Sequence, residues 1–217
     1  SLKKVISLKK HLGCVLGLLI SDESRTLFSS GLDSDIKMWD LDNFSLKGVI
    51  NTGQKGDISM DMIFLPRNNI LIAGFISAFA CYNTKKNQEI ALIHNKYKGS
   101  KINSLCYIEK KQYLLAGVSL GRIRLWSMKT LKPEYIGEYV IGTNLPLKIF
   151  VLEDDESMLI VNSGQKNLCL LNLSNGLVER SALQELKECY TFAVSSLTKK
   201  IYVSDSKTGA IGILTYE

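Results

Sequence analysis

A fixed repeat period constrains the fold of this chain more than any other feature. Five short apolar segments recur along it, and one position in each holds an aromatic residue or a leucine: Trp39, Tyr82, Trp126, Leu171 and Leu214. These positions are separated by 43, 44, 45 and 43 residues. A period of this length indicates a supersecondary unit that packs against copies of itself, because one such unit cannot bury its apolar face alone.

Each repeat has the pattern of a four-stranded unit. Two strand-like runs precede each repeated segment and an outer run follows the first four, with polar turns between them. The inner runs are almost continuously apolar, which predicts sheets that are covered on both faces. We therefore predict an all-β chain that forms a single domain or domain fragment over residues 1–217. Its predicted units are residues 9–51, 52–97, 98–141, 142–184 and 185–217.

The first repeat carries a distinctive set of polar residues. His11 precedes the first strand, Ser30 ends the second, Asp33 lies in the following turn and Trp39 lies in the third strand. With these residues at these spacings, the chain resembles the WD-repeat β-propellers. The resemblance implies four-stranded blades, in the first of which the four side chains form a structural hydrogen-bonded tetrad.

The same polar residues allow a second interpretation. His11, Asp33 and Ser30 are the residue types of a catalytic triad. Ser30, however, ends a strand of small residues and lacks the sharp strand-to-helix turn that exposes a nucleophilic serine. The structural tetrad is therefore the favoured interpretation.

The remaining repeats depart from the WD pattern, and the third departs least. It keeps Trp126 but has Ala116 in place of the serine and Leu120 in place of the aspartate. In the propeller family an N-terminal strand completes the last blade, and residues 4–8 have a sequence suited to that role. We expect about five blades, either as a closed five-bladed ring or as part of a larger propeller, for example a seven-bladed one.

Charge and cysteine content narrow the possible partners and compartment. The net charge is +6, and lysine supplies 22 of the 27 basic residues, mostly in predicted turns. Solvated turn tips explain this surplus best, and binding to nucleic acid or another anionic surface is an alternative. The five cysteines are too far apart for a zinc or redox motif, which predicts free, buried thiols in a reducing compartment. With no signal-peptide pattern and no apolar run long enough to span a bilayer, we expect an intracellular, cytoplasmic protein.

The sequence shows no pattern typical of catalysis. It has no paired carboxylates suited to acid–base catalysis, no metal-ligand cluster and no glycine-rich phosphate loop, so we expect no enzyme activity, cofactor or metal. The leading hypothesis is a scaffold or adaptor that binds protein partners, and a propeller enzyme such as a glycosidase is a weaker alternative. The resemblance implies a partner-binding face near the start of the first strands and before the third strands. The candidate positions are Leu32, Phe75, Lys101, Asn103, Ser119, Arg122, Gln165 and Tyr190.

Overall fold

The chain folds into β-sheets throughout its described length. A computed structural model describes residues 6–53, 61–76, 78–94, 102–142, 146–152, 157–162, 167–182 and 187–216. Within these ranges the only helix is one turn of 3-10 helix at Pro66–Asn68. The strands form five sheets in chain order, four with four strands and one with three. The predicted all-β fold, built from four-stranded blades of propeller type, is confirmed.

Within every sheet, strands that are consecutive in the chain lie side by side. The first sheet contains β1 (Val15–Ser21), β2 (Thr26–Gly31), β3 (Asp35–Asp40) and β4 (Leu46–Asn51). The second contains β5 (Asp61–Leu65), β6 (Ile70–Gly74), β7 (Ala78–Asn83) and β8 (Gln88–His94). The third contains β9 (Ile102–Ile108), β10 (Tyr113–Val118), β11 (Arg122–Ser127) and β12 (Glu134–Val140). The fourth contains β13 (Pro146–Val151), β14 (Ser157–Asn162), β15 (Asn167–Asn172) and β16 (Val178–Ala182). The fifth contains β17 (Cys189–Ser195), β18 (Lys200–Asp205) and β19 (Ile211–Thr215).

The five repeated segments of the sequence all fall on third strands, namely β3, β7, β11, β15 and β19. The backbone irregularities repeat as well. A bulge interrupts the pairing of the third strand with the fourth beside Trp39 in the first sheet and beside Trp126 in the third. The start of the inner strand is also irregular in several sheets, for example between Val15 and Gly17 and between Cys189 and Thr191. The blade backbone thus persists where its signature side chains are lost.

The chain divides into two compact units, and the first spans residues 1–92. In this unit, the first two sheets share one apolar core that includes Phe28, Met38, Leu71 and Tyr82. Leu19 of β1 packs against the same core. The strands β6 and β7 are almost wholly buried, which agrees with the continuously apolar sequence of the inner strands.

Strand β1 is an exception to the expected burial of inner strands. Its side chains alternate between the two faces of the sheet. Leu19 faces the core, whereas Leu18 and Ile20 on the opposite face are 69% and 60% exposed. In the first unit, therefore, the second sheet covers only one face of the first.

The second unit spans residues 93–217, and its described residues form two apolar clusters. One cluster includes Leu115 of the third sheet and Leu171 of the fourth. The other includes Leu168 of the fourth sheet and Phe192 of the fifth. The fourth sheet thus takes part in both of these clusters.

The predicted closing strand at residues 4–8 is not formed at residues 6–8, which have no regular structure. Residues 4 and 5 lie outside the described ranges. Ile6 is 51% exposed, so this segment buries little apolar surface to offset the conformational entropy of ordering a strand. The fifth sheet accordingly has three strands within the described residues. The domain and unit boundaries proposed from the sequence stay predictions.

Candidate functional site at one end of the first blade

The candidate site lies where the segment before β1 meets the turn between β2 and β3. The backbone N–H of Leu32 donates a 2.9 Å hydrogen bond to the carbonyl of Cys14. The backbone N–H of Leu12 donates to Oδ2 of Asp33 at 3.0 Å. These two bonds fix the segment against the turn and bring the imidazole of His11 beside Asp33.

Four side chains of this region form a continuous hydrogen-bonded network. Nδ1 of His11 lies 2.8 Å from Oδ1 of Asp33, and Nε2 lies 2.8 Å from Oγ of Ser29. The indole N–H of Trp39 donates to the same Oγ at 2.8 Å. Since a carboxylate only accepts and an indole N–H only donates, two directions in the network are fixed. Nδ1–H of His11 donates to Asp33, and Oγ of Ser29 accepts from the Trp39 indole while it also bonds to Nε2 of His11.

The prediction of Ser30 as the serine of the tetrad is wrong by one residue, because Ser29 occupies that place. Adjacent strand residues point to opposite faces of a sheet. Ser29 pairs with Lys37, two residues before Trp39, so Ser29 and Trp39 share a face. Ser30 pairs with Ile36 and therefore faces the other side.

A buried lysine extends the network beyond the predicted residues. Nζ of Lys37 donates to Oδ2 of Asp33 at 2.9 Å and to Oδ2 of Asp35 at 2.8 Å. Lys37 is 4% exposed, which is unusual for a lysine and consistent with its two carboxylate partners. Sequence analysis did not identify Lys37 or Asp35. The signal was a charged residue two positions before the tryptophan, between the apolar residues Ile36 and Met38.

The third sheet has a cation at the corresponding place. Arg124 stands two positions before Trp126 and is 2% exposed. Its Nε donates to Oε2 of Glu138 on β12 at 3.2 Å, and Nη1 of Arg122 contacts the other oxygen of the same carboxylate. Both sheets that keep a tryptophan thus bury a cation beside it, although the carboxylates come from different parts of the two blades.

The charges of the first-blade network stabilise one another. Burial alone would raise the pKa of Asp33, but hydrogen bonds from Lys37, His11 and the Leu12 N–H outweigh burial and hold this pKa well below its usual range. Burial would lower the pKa of Lys37, but its hydrogen bonds to Asp35 and Asp33 raise it. Both groups are therefore charged at neutral pH, and the network stabilises the folded blade at that pH.

The order Asp33, His11, Ser29 matches the hydrogen-bonding order of a catalytic triad, but its geometry is that of a structural network. The Ser29 side chain is buried, with the residue only 3% exposed. Its Oγ already accepts the Trp39 indole N–H. A nucleophilic serine needs an open approach to its oxygen for the substrate carbonyl, and Ser29 has none.

The predicted partner-binding positions differ in exposure. Leu32 and Tyr190 are 50% and 59% exposed, while Asn103, Ser119 and Arg122 are partly buried. Phe75 is 1% exposed and belongs to the core of the first unit, so its prediction as a contact residue is wrong. The apolar side chain that suggested a binding anchor at this position is used for packing instead. Lys101 and Gln165 lie outside the described residues.

The structure adds one exposed apolar residue to the predicted face. Leu12 is 93% exposed and follows His11 directly. Leu32, on the adjoining turn, is 50% exposed. We call Leu12 and Leu32 the leucine tip. Because Asp33 accepts hydrogen bonds from both His11 and the Leu12 N–H, the leucine tip is joined directly to the buried network.

Two further observations limit the chemistry and location of the chain. In the described residues, no group of three or more His, Cys, Asp or Glu side chains is placed to hold a metal ion. No helix in that part of the chain is long and apolar enough to cross a membrane. The five cysteines form no disulfide, as predicted, although Cys14 is exposed instead of buried.

The four-stranded sheets and the network of His11, Ser29, Asp33 and Trp39 define a protein of the β-propeller class with a WD-type first blade. Residues 2–40 match the family model "WD domain, G-beta repeat". The resemblance to the WD-repeat family is thus confirmed, and the chain carries a repeat of that family. WD-repeat propellers are generally protein-interaction scaffolds and are typically not enzymes. A comparison with curated proteins gave no match.

Proposed function

We propose that this chain is a non-catalytic interaction module that binds a protein partner through the leucine tip of its first blade. The single observation that carries the proposal is the pair of exposed leucines, Leu12 and Leu32, held by a buried polar network. Exposed apolar side chains that lie together on a surface often mark interaction sites. The general role of WD-repeat propellers as scaffolds supports the same function.

The rigidity of the leucine tip favours binding. Ordering side chains or loops at an interface costs free energy and so weakens association. Here the Leu12 N–H is held by Asp33 and the Leu32 N–H by the carbonyl of Cys14 before any partner arrives. The backbone of the tip therefore loses little conformational freedom on binding, and more of the gain from apolar burial contributes to affinity.

Residues of the second unit provide further candidate contacts. Tyr190 is 59% exposed at the start of β17, and tyrosine is enriched in binding hot spots. Arg122 is partly exposed but is paired with Glu138, so a partner must compete for its guanidinium. We rank Tyr190 above Arg122 for this reason. The five free cysteines fit an intracellular module, which we propose as its location.

The experiment compares two variants that lose exposed apolar surface at opposite ends of one sheet. Leu12→Ser combined with Leu32→Ser removes the leucine tip, whereas Phe44→Ser removes an exposed aromatic side chain from the turn between β3 and β4. Partners captured by chemical crosslinking are quantified by mass spectrometry for wild type and both variants. We expect the double variant alone to lose specific partners while its thermal melting stays within a few degrees of wild type.

Two outcomes would contradict the proposal. Equal partner capture by the double variant and wild type would show that the leucine tip makes no contact. Capture that is abolished by nuclease and falls steeply with salt would instead support the nucleic-acid alternative suggested by the lysine surplus.

A further inference from the structure

A second candidate binding site lies at the opposite end of the first blade from the leucine tip. A cavity of about 290 Å³ opens there between the first and second sheets, both of which belong to the first unit. We call it the Phe28–Phe64 cleft after the two aromatic residues in its wall. Ser24 in the turn before β2 and Lys85 in the turn before β8 lie at its edge.

The inner wall of the cleft is apolar. Phe28 and Met38 come from the first sheet and Phe64 from the second. The rings of Phe28 and Phe64 lie 4.9 Å apart between centroids and are tilted by 40°. A cleft of this size accommodates one large apolar side chain, and aromatic and thioether groups adapt well to such a guest.

The rim of the cleft is polar and carries two lysines. Nζ of Lys47 lies 3.1 Å from Oγ1 of Thr26 and 3.8 Å from Oδ2 of Asp40, and the Lys47 side chain is 39% exposed. Lys85 is exposed and makes no ion pair with any residue in the described ranges. Both ammonium groups are therefore available to an incoming anion. Lys47 would replace its long contact with Asp40 by a contact with that anion.

The hydroxyl group of Ser24 also belongs to the polar rim. Oγ of Ser24 is buried and has no hydrogen-bond partner among the described residues. Buried hydroxyls are normally hydrogen-bonded, because leaving one without a partner is costly. A backbone N–H or C=O group of a bound chain would supply that partner.

From this arrangement we propose that the Phe28–Phe64 cleft binds an extended segment of a partner protein that carries an apolar residue next to Asp or Glu. The apolar side chain fills the wall of Phe28, Met38 and Phe64, and the carboxylate lies between Lys47 and Lys85. The proposal deepens the protein-interaction function given above and rests on it. It also assigns a second binding surface at the end of the blade away from the leucine tip.

The surroundings favour a carboxylate over a phosphate. Asp40 is close to Lys47, and its negative charge repels a doubly charged phosphate more than a singly charged carboxylate. Among the described residues no arginine lines the cleft, although arginine is the residue best suited to bidentate phosphate binding. The apolar wall also favours a side chain over the charged backbone of a nucleic acid.

The methionine methyl groups allow a direct test. The protein is labelled with ¹³C at the methionine methyl groups and titrated with a blocked heptapeptide that contains leucine followed by glutamate and aspartate. Met38 lines the cleft, so its methyl resonance should shift in a saturable way. Met128 lies in the second unit and is 7% exposed, and its resonance should not move.

Matched peptides and variants separate the possible outcomes. We expect Lys85→Glu to weaken binding about fivefold, as expected for a partly exposed charge pair, and Lys86→Glu to change it less than twofold. Lys86 is also exposed but does not line the cleft. A peptide with lysines in place of both acidic residues should bind much more weakly.

Three results would overturn the proposal: no Met38 shift at millimolar peptide, an equal shift with the lysine peptide, or a shift only with a phosphoserine peptide. This titration needs no natural partner and no leucine tip. Failure of the cleft therefore leaves the partner-capture test intact, and failure of partner capture leaves the titration interpretable.

Discussion

The indole N–H of Trp39 donates a 2.8 Å hydrogen bond to Oγ of Ser29, ten residues earlier in the chain. Because Ser29 Oγ also contacts Nε2 of His11, the change Ser29→Ala removes the partner of both buried groups. We expect it to lower the free energy of unfolding by about 2–4 kcal/mol, since each orphaned polar group costs about 1–3 kcal/mol. Urea denaturation measures this change.

The neighbouring residue provides the control. Ser30 is equally buried but lies on the opposite face of β2, so Ser30→Ala leaves the bonds of His11 and Trp39 in place. We expect it to cost less than half as much as Ser29→Ala. Equal losses for the two variants would contradict the assignment of Ser29 to the network.

Lys37 provides a second test of the network. The change Lys37→Met keeps the length of the side chain but leaves the carboxylates of Asp33 and Asp35 without their shared cation. Removing one partner from a buried ion pair typically costs about 3–5 kcal/mol, and we expect a loss in this range at pH 7.

The control for Lys37 is a solvent-exposed lysine. Lys129→Met, in the exposed loop between β11 and β12, should change the free energy of unfolding by less than about 0.5 kcal/mol. A Lys37→Met variant as stable as wild type would show that apolar packing replaces the ion pairs fully, as happens in some proteins.

The repeat period predicted the strands of the blades because it depends on apolar segments, which survive in all five repeats. It could not fix the tetrad serine, because choosing between Ser29 and Ser30 requires the strand register. A clue existed in the third repeat, where Ala116 precedes Trp126 by ten residues, the same distance as from Ser29 to Trp39. Pairing of Ala116 with Arg124 confirms this equivalence.

Other features were beyond sequence analysis because they depend on three-dimensional neighbours. Phe75 has the residue type of a binding anchor, but its burial follows from packing between two sheets. Lys37 has the residue type of a surface group, and only the positions of Asp33 and Asp35 explain how it can be buried. The exposure of Leu12 likewise follows from how the segment before β1 is held.

A substitution at Gly31, the last residue of β2, tests how closely the backbone before the turn approaches the network. A Cβ atom at this position would lie 2.8 Å from Nδ1 of His11 and 3.0 Å from the carbonyl oxygen of Cys14. We expect Gly31→Ala to destabilise the protein by about 1–3 kcal/mol, the usual cost of overpacking. Gly137 is the matched control, because its added Cβ would have no atom within 4 Å. Similar melting temperatures for the two variants would mean that the turn relaxes without loss.

The cysteines should differ in reactivity according to burial. Cys14 is exposed, whereas Cys81 is fully buried and burial raises the pKa of its thiol to about 12. Since the thiolate is the reactive form, a thiol reagent at pH 7.5 should modify Cys14 within minutes and Cys81 only after unfolding. Peptide mapping by mass spectrometry identifies the modified residue. Rapid modification of Cys81 in the native protein would contradict its burial.

The lowered pKa of Asp33 predicts how the stability of the protein depends on acid. Because the folded-state pKa lies well below the unfolded value near 3.8, the unfolded state binds more protons at low pH. The stabilisation by Asp33 is therefore fully present above the unfolded pKa and is lost as the pH falls from about 4 through the folded pKa. Urea unfolding of wild type and Asp33→Asn at a series of pH values from 7 to 2 measures this loss.

Asp33→Asn should be less stable than wild type at pH 7, because Lys37 keeps only Asp35 as a charged partner. Below about pH 4 the two stability curves should converge, since the wild type loses a contribution that the variant never had. Some acid dependence should remain in the variant, because Asp205 also has a lowered pKa. Hydrogen bonds from backbone N–H groups to Asp205 outweigh the effect of its burial. Parallel curves between pH 5 and 2 would show that Asp33 does not carry the predicted acid sensitivity.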